Sequence, residues 1–361
     1  MKKIDYKLFI SVALLALFGC FMVYTSSNIW AEFKFNNPYK YFINQFVFFI
    51  LGLFIMYFVS KIDYKIYKKK STLIISVCFI LLVLVLIPGI GVVRNGSRSW
   101  FGLLGFGIQP SEVSKIGLVI FVSKYLSNNY TLMYDIKKGV FPIMSIILIF
   151  FLLIMLEPDF GTGMVITLSL VAMIFVSKVK ISFFVKIGIL GLFGIVGLII
   201  VAPYRMARIV SFLNPWSDPL GSGFQIIQSL YAIGPGGLFG LGFGNSIQKH
   251  FYLPEPQTDF IFSIISEELG FMGVLIVSSI FVFIFYRCLK VSLNTKDLFG
   301  KYLSFGLSFM IIFQTILNLS VVIGLVPVTG VTLPFLSYGG SSLLVSMTCI
   351  GIILNISRNT V

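Results

Sequence analysis

Apolar residues in this chain neither alternate nor recur every third or fourth position. They run continuously, and the runs are broken by short charged stretches or by stretches rich in glycine and proline. A helix that is hydrophobic on every side has no water-facing stripe, and a run near 20 residues covers the ~30 Å hydrocarbon core of a bilayer. Ten such spans are predicted, approximately Leu8 to Tyr24, Ile43 to Val59, Thr72 to Ile87, Val113 to Leu126, Val140 to Leu156, Gly161 to Val176, Phe183 to Ala202, Phe260 to Phe285, Leu303 to Ile323 and Ser341 to Ile356. The expected fold class is an all-α polytopic membrane protein of about ten transmembrane helices, with a large structured extracytoplasmic loop between helices 7 and 8. No linker or internal repeat divides it, so residues 1–361 read as a single membrane domain.

Charge orients these spans. A formal net charge of +14 would point to nucleic acid in a soluble chain, but most of the 27 basic residues fall in alternate connections. Lys2, Lys3 and Lys7, then Lys61, Lys65, Lys68, Lys69 and Lys70, and later Lys124, Lys137, Lys138, Lys178, Lys180, Lys186, Arg287, Lys290, Lys296, Lys301 and Arg358 share one side. The positive-inside rule makes that side cytoplasmic and places both termini there. The partner this composition implies is a lipid bilayer, with no nucleic acid. Only Asp5, Asp63, Asp135 and Asp297 of the 13 acids lie inside; the others gather toward the extracytoplasmic side. The four cysteines sit in or beside apolar spans without paired spacing and read as small core residues.

Four outer segments are more than connectors: Pro88 to Glu112, the turn Glu157-Pro158-Asp159, the loop Pro203 to Thr258, and Gly324 to Gly340. Within the third, Phe224 to Ile233 has the pattern of an interfacial helix lying on the outer leaflet. In the fourth, prolines and glycines interrupt an apolar run from Val326 to Ser342. Irregular backbone at membrane depth survives only when buried in protein or lining a cavity, which predicts a re-entrant or broken helix bordering a site.

Asp259 is the leading functional candidate. It ends the run Leu253-Pro254-Glu255-Pro256-Gln257-Thr258-Asp259, at the mouth of an apolar span, where an ionisable group is costly to keep. Thr258 is expected to cap that span, with Asp259 in its first turn. Glu267, about 80° round the helix, is expected to border the site beside Glu255, whereas Glu268, nearly opposite, is expected to anchor packing with a basic residue. One histidine, His250, leaves little material for a histidine metal site or a Ser-His-Asp triad. Carboxylates are therefore the general-base candidates, and Arg98, Lys115, Arg205, Arg208 and Lys249 are cations suited to an anionic group such as a phosphate. The glycines of Gly240 to Gly244 lack the strand and the Lys-Ser/Thr of a nucleotide loop.

The segments Asn95-Gly96-Ser97-Arg98-Ser99-Trp100-Phe101, Gln109-Pro110-Ser111-Glu112, Glu157-Pro158-Asp159-Phe160-Gly161-Thr162-Gly163, Asn214-Pro215-Trp216, Gly223-Phe224-Gln225, Gly234 to Gly237, Pro254 to Phe260 with Glu267-Glu268-Leu269-Gly270, and Pro334 to Ser342 occur in this order over nearly the whole chain. They closely resemble the SEDS family of shape, elongation, division and sporulation proteins, which includes FtsW and RodA, and look most like its stage V sporulation protein E and FtsW branch. Gln257 stands where many relatives carry histidine. The resemblance implies a peptidoglycan glycosyltransferase that polymerises lipid II at the outer face of the cytoplasmic membrane, for septum, cell-wall or spore cortex synthesis, with a class B penicillin-binding protein as partner. It implies Asp259 as the essential acid, which deprotonates the acceptor 4-hydroxyl for inverting attack on a donor linked to undecaprenyl pyrophosphate. It implies Trp100 as an important outer-loop residue, and its matched segments add Glu112, Ser337 and Ser341 to the substrate-binding candidates. No cofactor is required by the sequence; a divalent cation, Mg or Mn, is a possible helper. Two other classes stay open at this stage, a lipid II flippase using the same cavity and a non-enzymatic scaffold that recruits a transpeptidase.

Overall fold

The computed structural model describes residues 4–94, 96–103, 106–201 and 203–358; Asn95 and the side chains of Arg94 and Arg205 lie outside the described set. The helices are α1 (Tyr6–Phe35), α2 (Lys40–Val59), α3 (Lys65–Leu86), α4 (Pro110–Asn128), α5 (Phe141–Leu156), α6 (Phe160–Phe175), α7 (Ile181–Val201), α8 (Pro203–Leu213), α9 (Phe224–Ile233), α10 (Ile261–Asn294), α11 (Leu298–Val322) and α12 (Gly340–Ser357). Each of the ten expected spans coincides with one of them, and the expected structured loop after the seventh span holds α8 and α9. Among the described residues, seven helices are long and apolar enough by themselves to cross a membrane. α6 is shorter, and α4 carries Glu112, Lys115 and Lys124 within its length.

Between α3 and α4 the chain forms a small antiparallel meander, β1 (Val92–Arg94), β2 (Ser97–Leu103) and β3 (Phe106–Ile108), in the order β1-β2-β3. Its strands are short and rich in Ser and Gly, so their period-2 pattern is faint in the sequence. Trp100 pairs with Val92 and Arg98 with Val93.

α12 is buried along almost its whole length and packs on α2 and α11; α4 packs against α3, α11 and α6. At the end where both termini lie, Asp5 caps α1 through Leu8 N at 3.2 Å and pairs with Arg287 of α10 at 2.7 Å. Asn355 of α12 accepts from Tyr64 N and donates to Ser60 O, both at 2.9 Å, tying α12 to the α2–α3 turn. The opposite end carries the meander, the 157–159 turn and the loops before α10 and α12.

α10 is broken at Gly270 (φ 64°, ψ −163°). A break frees backbone groups that lipid cannot satisfy. The loop from Gly237 to Gly242 supplies the partners: Leu241 N donates to Glu267 O, Gly242 N to Glu268 O, Phe271 N to Gly237 O and Met272 N to Leu238 O, at 2.9–3.0 Å. The approach is close enough that a Cβ at Gly270 would land on Gly240 N, and one at Gly240 (φ 80°) on the Glu268 carbonyl. The glycines of this loop therefore serve backbone-to-backbone packing.

α9, expected as an interfacial helix, turns its apolar face onto protein. It packs against α10 and α11 with Ile226, Ile227, Ser229 and Ala232 buried, and Ser229 Oγ contacts Ser263 Oγ and Val322 O, both at 2.7 Å. Its apolar face suits a protein groove as well as a lipid surface, and the hydroxyl at Ser229 finds its partners only in the groove.

Candidate active site

The loop bearing Asp259 is shaped by its own turns. Thr258 donates through both its N–H (3.1 Å) and its hydroxyl (2.8 Å) to Glu255 O, and Glu255 adopts a left-handed φ of 44°. The Thr258 hydroxyl is thus spent backwards and does not cap α10; Phe260 holds the cap position and α10 starts at Ile261. Asp259 sits just ahead of the helix, not in its first turn.

A second irregular segment, Ile323 to Gly339, holds that loop in place. Ser337 Oγ donates to Thr258 O at 2.6 Å and itself receives Leu333 N at 2.8 Å, while Tyr338 N donates to Gln257 O at 2.8 Å. Side chains of the flanking helices satisfy four further carbonyls. Asn318 of α11 donates to both Asp259 O and Val331 O at 2.8 Å, Gln314 to Thr332 O at 2.9 Å, and Gln45 of α2 to Ser337 O at 3.0 Å. The re-entrant or broken helix expected here is not helical: the segment is irregular throughout, and its buried part, Val331 to Ser337, is held by these amides. Ser337, expected to touch substrate, serves this frame; Ser341 is buried in the first turn of α12.

The Asp259 carboxyl is half-buried, with Gly330 alongside it: a Cβ there would lie 3.7 Å from Oδ2. Withdrawal from water is the main cause that lifts its pKa to about 6; the Glu255 and Asp159 carboxylates push the same way, and Arg208 pulls it down. Arg208 is exposed on α8 and donates to Val328 O at 3.0 Å, in the segment beside Asp259. Of the expected cations among the described residues, Arg208 is the one whose charge bears on Asp259.

Beneath lies a second charged group. Lys115 is 2% exposed, bonded to Glu112 Oε1 at 2.6 Å and to Gln314 Oε1 at 2.8 Å. A buried ammonium needs such partners, and these two take two of its three N–H groups and pair its charge with Glu112. Asp159, the cap of α6, accepts from Thr162 N at 3.1 Å and Gln109 Nε2 at 2.7 Å. Burial raises its pKa foremost, the bonds from Thr162 oppose this, and the Glu112 and Lys115 charges act in opposite directions. Glu157, two residues away, is fully buried, and neither carboxyl oxygen has a hydrogen-bond partner among the described residues. Burial and the Asp159 charge push it up to about 9. Ser97 Oγ donates to Glu157 O, fastening the meander to this turn.

Arg98 turns toward the end of α3, with Nη1 3.4 Å from Leu86 O, and Trp100 is half-buried in β2. The Arg205 side chain lies outside the described residues. Glu267 is corrected: it borders no open site. It is fully buried, and its carboxylate accepts from Ser246 Oγ at 2.6 Å, Ile247 N at 2.8 Å and Gln248 N at 3.3 Å. Helical angle alone placed it near Asp259, but the loop before α10 folds back over that face and consumes it. Glu268 pairs with Lys249 at 3.7 Å, as its packing role requires. Among the described residues no three His, Cys, Asp or Glu side chains converge to hold a metal ion, so the residues present do not form a protein-built cage for a divalent cation.

Asp159, Gln109, Gln314, Asn318 and Gln45 were not singled out from the sequence. The signal was present in Gln314 and Asn318, two amides one turn apart on an apolar span, where polar side chains require a partner.

Comparison with known proteins agrees with this architecture. A family model for the FtsW, RodA and SpoVE cell cycle proteins matches residues 6–361. The chain is 50% identical over 354 residues to stage V sporulation protein E of Bacillus subtilis (strain 168), covering 98% of this chain and 97% of the relative. It is 40% identical over 353 residues to the probable peptidoglycan glycosyltransferase FtsW of Coxiella burnetii, covering 97% and 95%. Among solved structures it is similar to a chain described under "Structural coordination of polymerization and crosslinking by a peptidoglycan synthase complex", with TM-score 0.80, 28% identity and coverage of 99% and 98%. It is also similar to the rod shape determining protein RodA of Thermus thermophilus, with TM-score 0.73, 25% identity and coverage of 99% and 97%. The chain belongs to the FtsW, RodA and SpoVE family of cell cycle proteins.

Proposed function

We propose that Asp259 is the general base of glycan-strand polymerisation from lipid II. The chain is a multi-pass membrane peptidoglycan glycosyltransferase, a reading supported by its whole-length kinship with the FtsW relatives. In the proposed reaction the Asp259 carboxylate removes the proton of the acceptor 4-hydroxyl. The freed oxygen attacks the anomeric carbon of the donor, and undecaprenyl pyrophosphate leaves with inversion. Pyrophosphate is a good leaving group, so a base together with cations near the departing charge is enough. Arg208 is the best-supported cation, whereas Lys115 acts by balancing Glu112 under the site. A divalent ion, if one takes part, would travel with the pyrophosphate.

The observation that carries this reading is Asp259 itself: a half-buried carboxyl, fixed by its own backbone carbonyl to Asn318, with a pKa of about 6 and Arg208 in electrostatic reach. The Asp259 face is extracytoplasmic and both termini are cytoplasmic, in keeping with the lysine distribution. A class B penicillin-binding protein is the proposed partner, in line with a structural neighbour that comes from a peptidoglycan synthase complex. The test is purified Asp259→Asn with that partner and labelled lipid II. Loss of polymer with an unchanged melting temperature is expected; wild-type-like strands from the variant would refute the assignment. A wild type that makes no polymer but moves lipid II across sealed vesicles would favour the flippase.

A further inference from the structure

α1 is 30 residues long, roughly 45 Å at 1.5 Å per residue, against a hydrocarbon core of ~30 Å. Its last two turns, from Asn28 to Phe35, therefore stand at or beyond the headgroups on the Asp259 side. There they meet the tip of the loop before α10 and enclose an open cavity of about 490 Å³ lined by Asn28, Ile29, Glu32, Phe33, Pro38 and Phe251. Phe251 has a left-handed φ of 67°, an uncommon and strained conformation for a non-glycine residue and one that gathers at ligand clamps. Its ring makes T-shaped contacts with Trp30 (5.6 Å) and Phe33 (5.5 Å), and Phe251 and Phe33 are 51% and 74% exposed.

The groove is continuous with the catalytic loop. The Trp30 indole N–H donates to the Tyr41 hydroxyl, the Tyr41 ring packs edge-on against Tyr338 at 4.9 Å, and Tyr338 N holds Gln257 O, two residues before Asp259. Phe251 and Asp259 belong to one short loop.

We infer that this aromatic groove is a binding site for the growing glycan strand. Pyranose rings present patches of axial C–H that pack on aromatic faces, and their hydroxyl and N-acetyl groups need a few polar partners, of which the exposed Glu32 carboxylate is one. A row of aromatic rings with sparse polar groups fits a repeating N-acetyl sugar better than it fits an acyl chain, and its height matches sugars carried at the headgroup level. The inference rests on the glycosyltransferase reading, because a polymerase that keeps its strand needs a subsite beyond the reacting sugars.

Two measurements test it. First, wild type and Phe33→Ala, Phe251→Ala and Phe251→Tyr variants, each with the partner transpeptidase, are compared at equal consumption of labelled lipid II. Alanine at either position is expected to shorten mean strand length at least threefold, and Phe251→Tyr, which keeps the ring, to preserve it. Second, an Asp259→Asn protein that also carries Trp100→Phe and Trp216→Phe reports on Trp30 alone, and soluble β-1,4-linked N-acetyl sugar oligomers are expected to shift its fluorescence saturably. Unchanged strand lengths, or a Trp30 signal that follows only the lipid composition of the nanodisc, would overturn the site and leave an interfacial aromatic belt. A signal produced only by the partner protein would overturn it in favour of a protein contact. Absence of polymer from wild type itself would fail the glycosyltransferase reading, a result distinct from failure of the groove.

Discussion

Asp259 as a base makes a sharp demand on pH. A carboxylic acid at its ordinary value of 3.8 would be almost fully ionised at pH 5, whereas one lifted to about 6 is mostly protonated there. The ionised fraction at pH 5 is roughly one part in eleven, so a rate that needs the carboxylate falls about tenfold from its plateau between pH 7 and pH 5. Initial rates of lipid II polymerisation, measured with the partner at constant ionic strength from pH 5 to 8, should rise through a midpoint near 6. The charges around the acid set the direction of two further shifts. Glu255→Gln removes a carboxylate that raises the pKa and should move the midpoint down; Arg208→Ala removes the opposing cation and should move it up. Glu255 is exposed, so water and salt screen its effect and the shift should shrink as ionic strength rises. A profile flat from pH 5 to 7, or a Glu255→Gln midpoint that moves up, would refute the reasoning.

Three other outcomes are expected. Glu157 binds a proton in the folded chain up to about pH 9 that the unfolded chain releases near 4.5, so stability is fully present below the lower value and is lost as pH climbs through the window between them; Glu157→Gln should melt higher than wild type at pH 8.5, with the difference vanishing near pH 4.5. Asn318→Ala uncaps Asp259 O and Val331 O and should cost about 1–3 kcal/mol per unsatisfied carbonyl, read as a lower melting temperature in detergent together with a fall in kcat. Gly270→Ala demands a left-handed φ from alanine and drives its Cβ into Gly240, so it should abolish folded protein in size-exclusion chromatography, whereas alanine at Gly191, whose Cβ meets nothing within 4 Å, should be tolerated.

The spans were legible because continuous apolar runs of bilayer length leave little choice of structure, and the outer segments were legible as interruptions of those runs. The site was legible at Asp259, since a lone acid at the mouth of an apolar helix is costly to keep, but its surroundings were not. Glu267 shows why: a helical wheel reports angle along one element, and the loop at Ser246 to Gln248 that takes up its carboxylate is set by the break at Gly270. Thr258 shows the same limit at shorter range, because its hydroxyl had two acceptable uses and the turn at Glu255 decided between them. Lys115 and Glu112 read as two separate substrate-binding candidates; only the packing of α4 against α11 brings Gln314 in and buries both.

The position of Asp259 ahead of α10 is itself part of its chemistry. A carboxylate inside the first turn of a helix is stabilised by the unpaired amides and the positive end of the macrodipole, which lowers its pKa and weakens it as a base. Here the prolines at 254 and 256, the turn at Glu255 and the ties from Ser337 and Tyr338 finish the loop before the helix begins, and the Asp259 backbone carbonyl, not its carboxylate, is what Asn318 holds. The side chain is left between burial, which raises its proton affinity, and Arg208, which limits the rise. A base must be ionised at working pH yet still attract a hydroxyl proton, and a pKa of about 6 meets both conditions. The frame of buried amides therefore does more than satisfy a broken backbone: it leaves the acid outside the first turn of α10, where unpaired amides would lower its pKa.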